Sequence, residues 1–281
     1  MIIYLDTHVH FWQLERGDYH WLKPSNPILY QNYLPSDLAD AVENADHAGF
    51  LRGFIAVQAA PTMAETDYLL ELASKDERIL GVVGWLDPFA ECFAEEYMRL
   101  RKNPLFVGIR LDRTVFEPDI DQVPERLLAH LRVLEEDGFP IDLLIGPDQM
   151  PTVLKCLNSM PKLKVVINHL GGPPIRSGEI EIWSANIAAL SAFPLVYCKW
   201  SGMITPAGGM HPERVVPYIR HTAEQFGPER IMFGSDWPVA LMAGTYEEVV
   251  QLFEQLLPVH WSDQERANVR MHNAKNFYLG M

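Results

Sequence analysis

A chain of 281 residues, 48% hydrophobic and 21% charged, has the makeup of an ordinary folded protein with ample material for a large core. Its formal net charge of -14 excludes the basic footprint that a nucleic acid or an anionic membrane surface requires, and leaves small neutral or anionic molecules as partners. The three cysteines, Cys92, Cys156 and Cys198, form no Cys-x-x-Cys pair, so neither a disulfide framework nor a thiolate zinc site is expected and a reducing cytoplasm is the natural compartment.

The first residues already read as a strand, no leader pattern precedes them, and no apolar run is long enough to span a bilayer, so an unexported protein is expected. In that strand, residues 4–10, strict alternation puts Tyr4, Asp6, His8 and His10 on one face and Leu5, Thr7 and Val9 on the other. The segment 11–35 follows, rich in aromatics such as Phe11, Trp12, Tyr19, Trp21, Tyr30 and Tyr33. A loop this long either walls a pocket or plugs one end of the core.

From there the pattern is regular. Helices are expected over 36–47, 64–75, 90–102, 124–136, 149–159, 181–192 and 212–225, the first capped by Ser36 and stopped by Gly49. Short apolar strands at 52–58, 79–87, 106–111, 141–145, 163–169, 195–199 and 230–236 lie between and after them. Two further helices, 246–257 and 262–279, close the chain. With the first, that makes eight strands apolar on both faces with a helical segment in every gap, which implies right-handed crossovers and a parallel sheet. At this length the prediction is an α/β fold of the (β/α)8 TIM-barrel class, one domain over 1–281 with C-terminal helices packed back on it. An open doubly wound sheet is the alternative topology.

Catalysis in such barrels sits at the C-terminal ends of the strands. Those ends carry His8 and His10, then Gln58, Trp85 and Asp87, Arg110, His169, Lys199 and Ser201, and Asp236. Scattered surface polarity would not respect that position so regularly. Structural readings stand beside the functional ones: Gln58 could bond loop backbone, Arg110 could pair with Asp87, and Lys199 could neutralise Asp236. Asp142, at the start of its strand, is assigned to structure, and Asp6 to orienting the residues above it. There is no Gly-x-Ser-x-Gly elbow, no phosphate-cradling Gly-x-x-x-x-Gly-Lys and no Gly-x-Gly-x-x-Gly.

Together, Asp6-Thr7-His8-Val9-His10, Gly84-Trp85-Leu86-Asp87-Pro88, Gly108-Ile109-Arg110, Asn168-His169-Leu170-Gly171-Gly172-Pro173, Lys199-Trp200-Ser201-Gly202 and Gly234-Ser235-Asp236-Trp237-Pro238 resemble the amidohydrolase superfamily. Within it they look like the sugar lactonases, typified by L-fuconolactonase and L-rhamnonolactonase and related to 2-pyrone-4,6-dicarboxylate lactonase. The resemblance implies hydrolysis of a sugar lactone, with Asp236, His8, His10 and His169 catalytic. It assigns Gln58, Trp85, Asp87, Arg110, Lys199, Ser201 and Trp237 to substrate binding. Strand 4 ends in Arg110 and strand 5 in Leu144-Ile145-Gly146, where two-metal members carry a bridging lysine or carboxylate, so two ions are not expected. A single divalent ion, zinc first, on His8, His10 and Asp236 with or without His169 suits the donors. Metal-independent lactonases point the other way, and both routes stay open. The rival readings are a zinc-dependent non-oxidative decarboxylase of the same superfamily and a non-catalytic sugar-binding barrel. Whether copies associate as a homo-oligomer is also left open.

Overall fold

The computed structural model describes residues 2–43, 50–118 and 120–280. Eight strands form one sheet in sequential order: β1 (Ile3–Val9), β2 (Phe50–Val57), β3 (Ile79–Gly84), β4 (Phe106–Asp112), β5 (Ile141–Leu144), β6 (Val165–Ile167), β7 (Val196–Trp200) and β8 (Ile231–Phe233). Each pairs with the next in parallel. Helices α1 (Pro35–Glu43), α2 (Met63–Lys75), α3 (Phe93–Leu100), α4 (Glu125–Glu136), α5 (Met150–Ser159) and α6 (Glu181–Ser191) fill the gaps. The last crossover holds a short α7 (Ile204–Ala207), absent from the sequence reading, and α8 (Pro212–Phe226). This is the expected (β/α)8 barrel. The predicted end of the first helix at 44–47 and its stop at Gly49 lie outside the described residues.

β8 returns to β1 without a regular ladder. A single bridge, Val9 to Trp237, marks the seam, with Asp236 N–H donating to His8 O at 2.9 Å and His10 N–H to Trp237 O at 2.8 Å. Alternation along β1 is not strict either. Tyr4 packs outward on Phe253 while Leu5 packs with Ile55 and Val57 in the interior cluster. The pairing register with β2 then slips between Asp6 and Val9, and His8 within that slip and His10 just past it turn toward the centre.

Strands 3, 6 and 8 are shorter than the apolar pattern predicts, for one reason at β6 and β8. His169 (φ 53°) and Asp236 (φ 63°) adopt left-handed backbone just past the last paired residues, so the chain leaves the ladder there. After β8, α9 (Tyr246–Leu256) is followed by α10 (Asp263–Ala267), which continues as wide turns through Asn268–His272 and Lys275–Leu279. These turns let Asn273 donate to Pro228 O and Ile231 O, and press Ala274, Phe277 and Tyr278 against the interior cluster.

That closure holds a buried charge. Lys199 and Asp142 are both fully buried, 2.6 Å apart, with Tyr278 donating to the other Asp142 oxygen at 2.6 Å and Lys199 also donating to Thr7 O at 2.6 Å. Removing one member of such a pair strands a charge in a low-dielectric interior. Asp142→Ala is therefore expected to cost about 3–5 kcal/mol in urea unfolding. Asp142→Leu combined with Lys199→Met is expected to recover most of that loss; an additive double variant would show that the pair is not coupled.

Candidate active site

Two strand ends converge on an oxygen carried by a third. The Nε2 atoms of His8, His10 and His169 lie 3.7, 3.5 and 3.8 Å from Asp236 Oδ1. His8 and Asp236 are buried, His10 is 4% exposed, and only His169 keeps appreciable solvent access.

Each side chain is held by its surroundings. Asp6 Oδ1 accepts the N–H groups of both His8 (3.1 Å) and Ser235 (2.9 Å), joining β1 to the start of the Asp236 turn. Burial pushes the Asp6 carboxyl up to about 6 against those donors. His10 Nδ1 donates to Val57 O at 2.8 Å; a carbonyl cannot donate, so a neutral His10 turns the lone pair of Nε2 toward Asp236. His169 Nδ1 is 2.9 Å from Ser201 Oγ, which also accepts the His169 N–H at 3.3 Å. Gly202 (φ 59°) passes so close beneath that a Cβ there would sit 2.5 Å from His169 Nδ1. Only glycine leaves room for that imidazole.

Burial also sets the charge state. It holds the imidazoles of His10 and His169 below their ordinary range and that of His8 well below it. Burial alone would raise Asp236, but the facing His169 and His10 and the Arg110 guanidinium outweigh it and keep the carboxylate ionised. The centre is thus a carboxylate surrounded by neutral nitrogen donors. His8 Nε2 is buried with no hydrogen-bond partner, and His10 presents a lone pair to an anionic oxygen. Such a set is satisfied by a proton or a metal ion in its midst. The donor atoms of His8, His169 and Asp236 lie mutually within 4.8 Å, a cluster that takes in His169 and leaves out His10, a member of the expected ligand set. Tetrahedral zinc with bonds of about 2.0–2.2 Å separates its ligands by roughly 3.4 Å, so these residues fit a divalent ion.

Beside this centre opens a cavity of about 550 Å³ lined by His10, Gln58, Arg110, His169 and Asp236. Arg110 is 8% exposed with Nε unpartnered, and Gln58 is 2% exposed with Oε1 unpartnered, so both present polar atoms that nothing in the protein satisfies. Other residues with expected substrate roles sit elsewhere. Lys199 lies beneath the cavity, paired with Asp142 rather than Asp236, with Nζ 3.5 Å from His8 Nδ1. Ser201 is buried against the His169 ring, and Trp237 is buried against Phe11 and Tyr33. Trp85 and Asp87 do not line the cavity; the Trp85 N–H is bound by Thr66 Oγ1 and Asp87 Oδ1 accepts the Phe89 N–H.

The cavity wall also contains Trp21, Asp112, Arg113 and Thr205, which reading the strand ends alone passed over. Asp112 and Arg113 directly continue strand 4 beyond Arg110, and extending that strand end by one turn would have found them. Of the aromatics in the long segment, Phe11, Trp12, Tyr19 and Tyr33 are buried and plug the core, and Trp21 opens onto the cavity. Among the described residues no helix is long and apolar enough to cross a membrane, and the three cysteines are unpaired.

The family model described as amidohydrolase matches residues 5–279. An L-fucono-1,5-lactonase from Burkholderia ambifaria is 33% identical over 294 aligned residues, covering 99% of this chain and 96% of that protein. An L-fucono-1,5-lactonase from Burkholderia multivorans is 34% identical, covering 94% of this chain and 91% of that protein. Among solved structures, an amidohydrolase from Burkholderia multivorans with bound zinc is 31% identical and superposes with a TM-score of 0.87 over 99% of both chains. A match that runs almost end to end, on a barrel whose strand ends gather histidines around Asp236, places this chain in the amidohydrolase family.

Proposed function

We propose that the protein hydrolyses a sugar lactone to its aldonic acid. The observation that carries this reading is the convergence of His8, His10 and His169 on Asp236 Oδ1 at the edge of a cavity that also presents Arg110 and Gln58. The two relatives named as L-fucono-1,5-lactonases favour a neutral sugar lactone over a carboxylate undergoing decarboxylation.

The chemistry follows from charge and position. Asp236, ionised and aimed at the imidazoles, takes a proton from the water that attacks the ring-ester carbonyl, and returns it to the ring oxygen as the acyl–oxygen bond breaks. His8 and His169 face the position where the oxyanion develops, and fixed N–H donors there act without reorganisation, whereas His10, whose Nε2 carries a lone pair, would act through an ion held in the centre. Arg110 and Gln58 line the cavity and orient the lactone from its wall. Ser201 fixes the His169 ring, and Lys199 supports His8 from below. One divalent ion, zinc by its donor set, would be held by His8, His169 and Asp236 with His10 alongside; when bound it polarises the carbonyl and acidifies water. The compartment consistent with unpaired cysteines is the cytoplasm.

A pH-indicator assay over a panel of aldonolactones tests the assignment. Asp236→Asn is expected to lower the rate by about 10²–10⁴-fold while the unfolding midpoint stays close to the parent's, as the loss of a general base requires. A near-normal rate in that variant would remove Asp236 from the mechanism. Dialysis against a chelator is expected to lower activity, and added zinc to restore it. Full activity with metal content at background would leave the imidazoles and Arg110 to stabilise the oxyanion directly.

A further inference from the structure

The cavity has a wall that the hydrolytic centre does not use. Trp21 lies on that wall beside Gln58, Ala59 and Pro61 and is 44% exposed, whereas Phe11, Trp12, Tyr19 and Tyr33 of the same segment are at most 6% exposed. Its orientation is fixed. The indole Nε1 donates to Ala59 O at 2.8 Å, and the ring meets Trp12 edge-on at 5.4 Å and 81°. Ala59 is fixed in turn, because its N–H donates to Glu65 Oε1 at 3.0 Å while Glu65 Oε2 accepts from the Tyr19 hydroxyl at 2.5 Å.

Glu65 is fully buried, and burial pushes its carboxyl up to about 7 in spite of those donors. It makes none of the contacts around Asp236. Its bonds join the segment that carries Trp21 to the turn on which Trp21 rests. A costly buried carboxylate thus preorganises one aromatic side chain at a cavity wall. Gln58, the chain neighbour of Ala59, lines the same cavity.

We propose that Trp21 is the ring-binding platform of this cavity: it takes the apolar C–H face of a saturated, hydroxylated lactone ring while the side-chain amide of Gln58, on the same wall, hydrogen-bonds a ring hydroxyl. Glu65 positions the platform through Ala59 and Tyr19. This deepens the lactonase reading and rests on it for the identity of the ring. An aromatic face and an amide on the same wall complement a ring that is apolar on one side and hydroxylated at its edge.

The test compares the parent with Trp21→Ala, Trp21→Phe and Tyr19→Phe. Two quantities are read: KM and kcat for an aldonolactone, and Kd by calorimetry for the matching aldonolactam, whose amide resists opening. Trp21→Ala is expected to raise KM and Kd together by about tenfold, with the loss in KM rather than kcat. Trp21→Phe, which keeps an aromatic face, recovers most of it. Tyr19→Phe keeps the ring and removes only the hydroxyl that Glu65 holds, and gives a smaller rise of the same kind. Unchanged KM and Kd in Trp21→Ala, or a fall in kcat at constant KM, overturns the proposal. Lactam binding is read without turnover, so a parent protein that binds lactam through Trp21 yet opens no lactone rejects the proposed reaction and keeps the platform.

Discussion

The seam between the first and last strands is the constraint on which the rest depends. β1 and β8 share no continuous ladder, and the barrel closes through a few bonds at the level of the site. Asp6 Oδ1 gathers the N–H groups of His8 and Ser235, Thr7 Oγ1 donates to Phe233 O at 2.6 Å, and Asp236 N–H donates to His8 O. The bonds that close the barrel are therefore the bonds that bring His8, His10 and Asp236 together. Stability and site geometry are not separable there, since loosening the seam moves the carboxylate away from the imidazoles.

Other features concentrate cost at the same place. His169 and Asp236 take left-handed backbone without being glycine, which stores about 1–3 kcal/mol each. Lys199 and Asp142 sit fully buried beneath His8. His8, Gln58 and Arg110 keep buried polar atoms unpartnered. A barrel built for stability alone would replace these with apolar packing. Their grouping around one cavity is what an active centre requires, because polar side chains held there at a cost, on strained turns, keep a fixed geometry for the reaction.

Most of the architecture was legible in the sequence because the barrel repeats one simple signal, a short strand apolar on both faces followed by an amphipathic helix. The candidate centre was legible for a related reason: polar residues at the ends of apolar strands have one shared destination in such a barrel. Three things were not. The register slip in β1 depends on pairing with β2, which local alternation cannot reveal. The partner of Lys199 is Asp142 from a strand two positions away in the sheet, brought near by the barrel's curvature and completed by Tyr278 from the far end of the chain. Trp21 was visible as one aromatic among several in a long irregular segment, but which of them opens to the cavity is decided by the Glu65 and Ala59 bonds, and no period in the sequence encodes those.

The account stands on water attacking an acyl carbon held between Asp236 and the imidazoles. The most direct test is to let the protein act on its best aldonolactone in heavy-oxygen water and locate the label in the product by mass spectrometry. The account predicts one heavy oxygen in the carboxylate of the aldonic acid and none at the released hydroxyl. Label at the released hydroxyl, or release of carbon dioxide in place of the acid, would contradict it.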